Sequence, residues 1–365
     1  MPAMQPWQAW DVFCRVIDNH GDLGVAWRLC CDLADRGEQV RLWVDDAAAL
    51  AWMAPQGHRG VEWVAWTDPA PDLAPGSVVV ETFGCNPPPG FVQRMAAATP
   101  APAWINLEYL SAEAYVERCH GLPSPVNVGP GRMLAKRFFY PGFSARTGGL
   151  LREPGLMPAR RAFDRQAWLC ASGIDVQPGE RLVSLFCYEN PALAALLDLI
   201  DNAPTLLLVP PGAPTRQVSA LLGPTLQRGA LRARLLPYLT QPGYDRLLWA
   251  CDLNFVRGED SFVRAQWAGK PFVWQIYPQL DGSHAVKLHA FLDRMLAPAD
   301  DALAAPLRGL FLGWNALAPL PTALPAAAPW RGLCAGWRDG LLAQVDLTRQ
   351  LIEFVRKDVK IQGFA

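Results

Sequence analysis

One stretch, from Val256 to Pro271, constrains the fold more than any other part of this 365-residue chain. It lies between two mostly apolar runs, 247–255 and 272–277, and has a glycine and a serine near its start. The pattern predicts a buried strand, a tight loop, a helix and a second strand. Such a loop directs backbone N–H groups and a helix N-terminus toward one point, which suits a diphosphate.

The side chains of this loop combine one cation with two acids. Arg257 adds a positive charge beside the turn, Gly258 lets the backbone come close to a ligand, and Ser261 is predicted to cap the helix. Glu259 and Asp260 would repel phosphate, so they are expected to face ribose or sugar hydroxyls. The combination indicates a nucleotide-sugar site. The alternative is an ordinary strand–helix turn whose acids stabilise the helix dipole.

Composition indicates a well-buried globular protein and argues against several functions. A hydrophobic content of 51% with 18% charged residues favours a folded core, and the length allows two domains. The net charge of −1 argues against a general nucleic-acid or membrane-surface binder. No apolar run approaches the roughly 18 residues of a membrane span, and the N-terminus lacks a signal-peptide pattern. We therefore expect a cytoplasmic protein that binds neither nucleic acid nor membrane.

Cysteines and histidines predict neither disulfides nor a metal site. The nine cysteines are scattered and include no C-x-x-C pair, so we expect buried hydrophobes in a reducing cytosol. His284 and His289 are too far apart for the H-E-x-x-H zinc motif, and no clustered acids accompany them. No metal is therefore expected.

Apolar runs divide the chain into two α/β halves of similar rhythm. The first half opens with a strand at 11–17, a helix at 25–36 and a strand at 39–44, the βαβ unit of doubly wound sheets. Glycine and proline loosen the pattern at 144–179, which predicts a linker, and helical spacing predicts a last helix over 337–357. Further strands are predicted at 60–66, 77–82, 103–107, 181–186, 205–209 and 231–236, and further helices at 192–200 and 244–250.

This organisation predicts two α/β domains that face each other across a cleft. The first is expected to span residues 1–160 and the second residues 161–340. Residues 341–365 are expected to form a helix that packs back across the domain junction. Because ligands of such folds bind beyond the carboxyl ends of parallel strands, the loops at those ends are the candidate sites.

The first such loop, residues 18–24, carries the wrong charge for phosphate. Its Gly21-x-x-Gly24 pattern lacks the first glycine of the dinucleotide fingerprint. Asp18 and Asp22 flank the turn, which suits a cationic or proton-losing acceptor. The alternative is that Asp18 caps the turn and Asp22 caps the following helix. Together with the loop at Arg257, an acidic loop indicates a transferase.

Five motifs extend this interpretation. They are DNHGDLGV at 18–25 with Trp27-Arg28, FCYEN at 186–190, DRLLWACD at 245–252, RGEDSFVRAQ at 257–266, and WQIYPQ at 274–279. In these motifs, and in their order, the chain resembles the elongation factor P arginine rhamnosyltransferases. The resemblance covers nearly the whole chain, and the motif that begins at Arg257 is highly specific.

The resemblance implies an inverting glycosyltransferase of the GT-B fold, with two Rossmann-like domains. Its donor would be dTDP-β-L-rhamnose, and its acceptor an arginine side chain of elongation factor P. The product would be an α-rhamnosyl arginine, which activates elongation factor P for the rescue of ribosomes stalled at polyproline. No metal or other cofactor would be required.

Matching positions of the family imply roles for residues in both halves. Asp18 and Asp22 match its acceptor-side catalytic aspartates, and Glu259 matches its essential glutamate. Asp22 is the expected base, Asp18 is expected to position the acceptor, and Glu259 to orient the donor or its loop. The expected donor-binding residues are Phe186, Tyr188, Tyr238, Gln241, Arg257, Asp260, Ser261 and Tyr277.

Three of these positions carry a more specific expectation. Tyr238 stands where the family more often has Phe, and either ring can stack on thymine. Gln241 would then read the base, and Tyr277 would reach a phosphate. His20 stands where another aromatic residue is expected, so the resemblance assigns it no role.

Two other functions fit the same residues. A nucleotide-sugar epimerase of the same fold would use both halves on one ligand and would need no protein substrate. A non-catalytic module would bind elongation factor P and leave its mass unchanged. The mass of elongation factor P after incubation with donor separates both functions from transfer.

Overall fold

A computed structural model of the chain describes residues 9–17, 20–130, 132–279 and 281–362. The chain divides into two compact units, one of residues 1–153 with 344–365 and one of residues 154–343. The sequence had placed these boundaries after residues 160 and 340. Each unit is an α/β unit of Rossmann-like character, and the fold is of the predicted GT-B type. The cleft between the two domains stays a prediction.

The first unit is built on a mostly parallel seven-stranded sheet. Its strands are β1 Ala9–Cys14, β2 Gln39–Val44, β3 Val61–Ala65, β4 Val78–Thr82, β5 Ala103–Leu107, β6 Pro123–Gly129 and β7 Arg132–Phe139. Their order across the sheet is β3-β2-β1-β4-β5-β7-β6, and β6 pairs antiparallel with β7. The order reverses between β1 and β4, which places a switch point at their carboxyl ends.

The central strands of this sheet are buried on both faces. Val12 and Ile105 pack in one apolar cluster, whereas Phe13 and Trp104 pack in another. Successive side chains of a strand point to opposite faces, so these near-continuous apolar runs cover both sides of the sheet. This is why the strands at 39–44 and 103–107 were predicted with their observed bounds.

The hairpin of β6 and β7 was missed by the sequence analysis. Its outer strand carries Pro123 and Pro125, and its inner strand carries Arg132, Lys136 and Arg137. Proline and charge argue against a central strand. The prolines are tolerated because β6 lies at the edge of the sheet, where an outward-facing N–H is not needed, whereas Lys136 of the inner strand β7 is paired with Glu81 of β4.

The second unit contains a six-stranded sheet. Its strands are β8 Arg181–Leu185, β9 Thr205–Val209, β10 Gln227–Arg228, β11 Leu231–Leu235, β12 Leu253–Arg257 and β13 Phe272–Gln275. Their order is β10-β11-β9-β8-β12-β13, and all neighbours are parallel apart from β10 with β11. The switch point of this sheet lies between β8 and β12. The helix predicted at 244–250 is confirmed as the end of a helix over Gln241–Ala250, and the strand in the apolar run that follows is Leu253–Arg257.

Helices cover the two sheets. They are α1 Gly21–Asp35, α2 Leu50–Met53, α3 Pro89–Ala97, α4 Ala114–Cys119, α5 Leu156–Arg161, α6 Arg165–Ala171, α7 Leu193–Ile200, α8 Ala213–Leu222, α9 Gln241–Ala250, α10 Asp260–Ala268, α11 Ser283–Leu296, α12 Asp301–Trp314, α13 Ala327–Leu342 and α14 Leu347–Gln362. Helices α1 to α4 and α14 belong to the first unit, and the others to the second.

The single helix predicted over 337–357 is wrong, because two helices meet there. Helix α13 ends at Leu342, and α14 begins after Asp346, whose carboxylate accepts a hydrogen bond from Arg349 N at 2.9 Å. This is the geometry of an N-cap, which starts a new helix. Val345, inside the predicted helix, lies in the break and is 44% exposed. The apolar side of α14 packs into the core of the first unit through Leu347, Leu351, Ile352 and Val355.

Candidate active site

Predicted donor-binding residues follow the two strands that border the switch point of the second sheet. Phe186 comes directly after β8, and Tyr188 follows in the same loop. Arg257 is the last residue of β12. Tyr277 follows β13, the strand beside β12. In open α/β sheets this position is where ligands bind.

These four side chains form one contact cluster, the Arg257 cluster. The guanidinium carbon of Arg257 lies 4.5 Å from the ring centroid of Phe186 and 4.5 Å from that of Tyr188. The rings of Tyr188 and Tyr277 meet edge to face at 5.3 Å. Contacts with both rings restrict the position of the Arg257 guanidinium. Four side chains with a predicted donor role are thus brought together.

The turn between β12 and α10 is held by its own serine. Ser261 Oγ accepts a hydrogen bond from Arg257 N at 3.0 Å and donates one to Arg257 O. Gly258 has a φ of 61°, a conformation that glycine adopts at no steric cost. The predicted N-cap role of Ser261 is wrong. Glu259 occupies the N-cap position, and Ser261 lies in the first turn, where its hydroxyl binds the strand behind it.

A buried ion pair fixes α10 behind this turn. Arg264 of α10 donates two hydrogen bonds to Asp245 of α9, at 2.8 and 2.7 Å, and both side chains are almost fully buried. The paired fork-to-carboxylate geometry restricts rotation and sliding of the helix. The N-terminus of α10, with the half-buried Glu259 and Asp260, is therefore presented by a rigid element.

Tyr238 and Gln241 lie farther along the same carboxyl edge. They follow β11, which is separated from β8 by β9. Tyr238 is 52% exposed, as expected of a ring that a base could cover, whereas Gln241 is 8% exposed and begins α9. Tyr244 of the same helix meets Phe186 edge to face at 5.6 Å, which connects α9 to the Arg257 cluster. The roles of Tyr238 and Gln241 stay predictions.

Asp22 is held at the switch point of the first sheet. Its carboxylate accepts a hydrogen bond from Ile17 N at 3.0 Å, and Tyr109 Oη lies 3.5 Å from its other oxygen. Only 3% of Asp22 is exposed. The alternative that Asp22 caps a helix near Val25 is wrong, because α1 begins at Gly21 with His20 at the N-cap. Asp18 lies outside the described residues.

Several aromatic and acidic residues beside Asp22 were not predicted. Phe83 and Tyr109, which follow β4 and β5, stack at 4.2 Å with an angle of 12° between their rings. Glu108 precedes Tyr109 and accepts a hydrogen bond from Asn106 Nδ2 at 2.7 Å. The pKa of Tyr140 is raised, first by burial and then by the negative charge of Glu108. The available signal was position, since each of these residues closely follows a strand at its carboxyl end.

The neighbouring thiol is not a nucleophile. The pKa of Cys14 is raised well above its ordinary value, first by burial and then by the negative charge of Asp22. A thiol with a raised pKa carries little thiolate at neutral pH. Asp22, rather than Cys14, is therefore the candidate for the reactive group near the end of β1.

The described residues contain neither a metal-binding group of side chains nor a membrane-spanning helix. No group of three His, Cys, Asp or Glu side chains within these ranges is arranged to hold a metal ion. Metal independence of the reaction stays a prediction. No helix in the described part of the chain has the length and apolar character needed to cross a membrane.

The sequence matches a known family and known relatives over most of its length. The model of the family described as Elongation-Factor P (EF-P) rhamnosyltransferase EarP matches residues 10–356. A protein-arginine rhamnosyltransferase of Pseudomonas putida is 46% identical over 84% of this chain and 86% of its own length. Relatives of the same description from Pseudomonas aeruginosa and Neisseria meningitidis are 46% and 37% identical, over 84% and 79% of this chain and 87% and 79% of their own lengths.

Solved structures support the same assignment of fold. One described as "Structural basis for EarP-mediated arginine glycosylation of translation elongation factor EF-P" aligns with a TM-score of 0.66 and 34% identity. The alignment covers 96% of this chain and 99% of that one. The spinosyn rhamnosyltransferase SpnG aligns with a TM-score of 0.53 at 14% identity, over 95% of this chain and 99% of that one. That second likeness concerns the fold alone.

Proposed function

The chain belongs to the EarP family of elongation factor P rhamnosyltransferases, and from this premise we propose that it transfers L-rhamnose from dTDP-β-L-rhamnose to an arginine side chain of elongation factor P. The transfer inverts the anomeric carbon and gives an α-rhamnosyl arginine. The relatives from both Pseudomonas species are described as acting on protein arginine, which supports this acceptor.

One observation carries the proposal beyond family membership: the Arg257 cluster lies beside the N-terminus of α10. A helix N-terminus supplies backbone N–H groups and a partial positive charge, and Arg257 adds a full one. The aromatic rings of Phe186 and Tyr188 hold the Arg257 guanidinium in place. This arrangement suits a diphosphate, the part that nucleotide-sugars have in common.

The same groups stabilise the leaving group. When the bond between the anomeric carbon and the diphosphate oxygen breaks, the electron pair and the negative charge stay on dTDP. Arg257, the first turn of α10 and the hydroxyl of Tyr277 meet that charge in the role that a metal ion has in other transferases. No metal is therefore required in the proposed reaction.

Asp22 supplies the acceptor side. It is almost fully buried and is held by a backbone N–H, so its carboxylate has a fixed position. A guanidinium placed against it would form charge-assisted hydrogen bonds, and the ring of Tyr109 offers a face for stacking. Asp18 is proposed to position the same guanidinium, and Glu259 to orient hydroxyls of the donor.

The proton leaves the guanidinium late. Arginine has a pKa of roughly 12.5–13.8 and aspartate one of about 3.9, so full proton transfer before attack would cost on the order of 12 kcal/mol. We propose that hydrogen bonds donated by the guanidinium to the Asp22 carboxylate distort its delocalised system and expose the electrons of one nitrogen. That nitrogen attacks the anomeric carbon, becomes acidic as the bond forms, and then gives its proton to Asp22.

Intact mass spectrometry of elongation factor P tests the proposal. Incubation with this protein and dTDP-β-L-rhamnose should add the mass of one deoxyhexose, and an acceptor whose arginine is replaced by lysine should gain nothing. Addition of a metal chelator should leave the gain unchanged.

Each other outcome contradicts transfer in a recognisable way. Conversion of the nucleotide-sugar without any gain in protein mass would indicate an epimerase. Binding of elongation factor P with neither donor turnover nor mass gain would indicate a non-catalytic module.

A further inference from the structure

Both polar backbone groups of Gly258 are held by strand β13. Gly258 N donates a hydrogen bond to Gln275 O at 3.3 Å, and Gly258 O accepts one from Trp274 Nε1 at 2.7 Å. Gly258 is buried, so water does not compete for its carbonyl. The glycine of the donor turn therefore has a fixed orientation, set by a neighbouring strand and not by the turn itself.

This orientation determines where the next N–H points. The peptide between Gly258 and Glu259 is trans, so its C=O and its N–H point in opposite directions. The carbonyl points at the indole of Trp274, inside the core. The N–H of Glu259 consequently points away from Trp274, at the start of α10, where helix N–H groups serve anions.

Trp274 is itself rigid. Its ring stacks on Phe262 of α10 at 3.9 Å with an angle of 7°, and Phe291 meets it edge to face at 5.8 Å. Only 5% of Trp274 is exposed. The ring contacts of Trp274 with Phe262 and Phe291 do not depend on the indole N–H, which is instead donated to Gly258 O. The N–H is therefore the part of Trp274 that packing does not require.

We propose that Trp274 is a positioning residue for the reaction: its indole N–H presets the Gly258–Glu259 peptide so that the Glu259 N–H binds the donor diphosphate. This inference rests on the proposed function, since it assumes that a nucleoside diphosphate docks at the N-terminus of α10. Without the indole N–H the buried carbonyl loses its partner, and the peptide can rotate to seek another one. The diphosphate then loses one preset donor, while the base-binding part of the site is untouched.

Trp274→Phe tests the role, because it removes the N–H and keeps an aromatic ring against Phe262. Affinities for dTDP and for thymidine, which lacks the diphosphate, are measured by calorimetry or ligand-observed NMR. We expect dTDP to bind about tenfold more weakly and thymidine to bind as it does to the unmodified protein.

Trp314→Phe is the matched control. Trp314 is a fully buried tryptophan of the same unit, and its Nε1 has no hydrogen-bond partner among the described residues. Its replacement removes the same group from the same kind of core and should leave both affinities unchanged. If Trp274→Phe does not fold, Trp274→benzothienylalanine, which keeps the shape of the ring and lacks the N–H, is measured in its place.

The outcomes separate this inference from the proposed function. Unchanged dTDP affinity in the Trp274 variant, or an equal loss of dTDP and thymidine affinity, would overturn the positioning role and leave the transferase proposal intact. Failure of the unmodified protein to bind dTDP at all would overturn the proposed function and this inference with it.

Discussion

Two strand–turn–helix motifs of this protein share a backbone plan and differ in charge. The turn after β1 leads into α1 and presents Asp22, whereas the turn after β12 leads into α10 and presents Arg257. Each follows a strand at the switch point of its own sheet. In both motifs the fold supplies the position of the binding site. One side chain beside the helix N-terminus then decides which charge can be bound there.

The two side chains are also held by different means. Asp22 is fixed by a hydrogen bond from Ile17 N and by its proximity to the hydroxyl of Tyr109. Arg257 is held by the rings of Phe186 and Tyr188, whose centroids each lie 4.5 Å from its guanidinium carbon. A carboxylate that must accept a proton needs hydrogen bonds to place its oxygens. A cation whose role is to neutralise the negative charge of a ligand can instead be held by contacts with aromatic rings.

The largest expected effect comes from removing the charge of the first motif. Asp22→Asn should lower turnover about 1000-fold, because the amide can neither attract the guanidinium nor accept its proton. The affinity for dTDP should stay within twofold. Asp46→Asn, an exposed change in the same unit, is the control and should change neither quantity. Unchanged turnover of Asp22→Asn would remove Asp22 from the chemistry and break the comparison.

An intermediate effect is expected from the cation of the second motif. Arg257→Gln should weaken dTDP binding about 30-fold, because charge-assisted hydrogen bonds to phosphate are lost. The KM for elongation factor P should not change. Arg246→Gln, at an exposed position of α9, is the control for net charge. A rise in the acceptor KM without a change in dTDP affinity would show that the two motifs had been assigned to the wrong substrates.

The smallest effect is expected at Tyr109 and would sharpen the assignment of the first motif. Tyr109→Phe keeps the stack on Phe83 and removes the hydroxyl near Asp22, so the KM for elongation factor P should rise about threefold. Tyr109→Leu, which removes the ring as well, should raise it further. Steady-state kinetics at saturating donor measure both. An equal change in the two variants would mean that the ring contributes nothing to acceptor binding.

Strand positions were the most predictable part of the fold. Buried parallel strands consist of short apolar runs between turn residues, and this pattern set the strands at 39–44, 103–107 and 205–209 without error. The hairpin of β6 and β7 was missed because the edge strand β6 accepts proline and the inner strand β7 carries charged residues, so both resemble loop sequence. The break at Val345 was missed because apolar residues keep helical spacing on both sides of it. Only the cap at Asp346 marks the boundary between the two helices.

The sequence predicted which residues belong to the site, but not the contacts that those residues make. Residues at the carboxyl ends of strands, such as Phe186 and Arg257, were found because their place in the chain fixes their place on the sheet. The hydroxyl of Ser261 was assigned to the helix, but it binds the backbone of Arg257, a choice that depends on local geometry. Trp274 and Tyr109 were missed because an aromatic residue in or beside an apolar strand has the sequence signature of core packing.

The return of the chain to its first unit has a consequence for folding during synthesis. Leu347, Leu351, Ile352 and Val355 pack in the core cluster that includes α1, yet they are synthesised only after the whole second unit. The second unit is continuous in sequence, so its residues can all be available on the ribosome while the earlier unit still lacks a wall of its interior. The first unit can therefore complete its core only after the second unit has been synthesised, a departure from strict N-terminal-first folding. A chain that stops after residue 343 would leave an uncovered apolar surface on the half that carries Asp22.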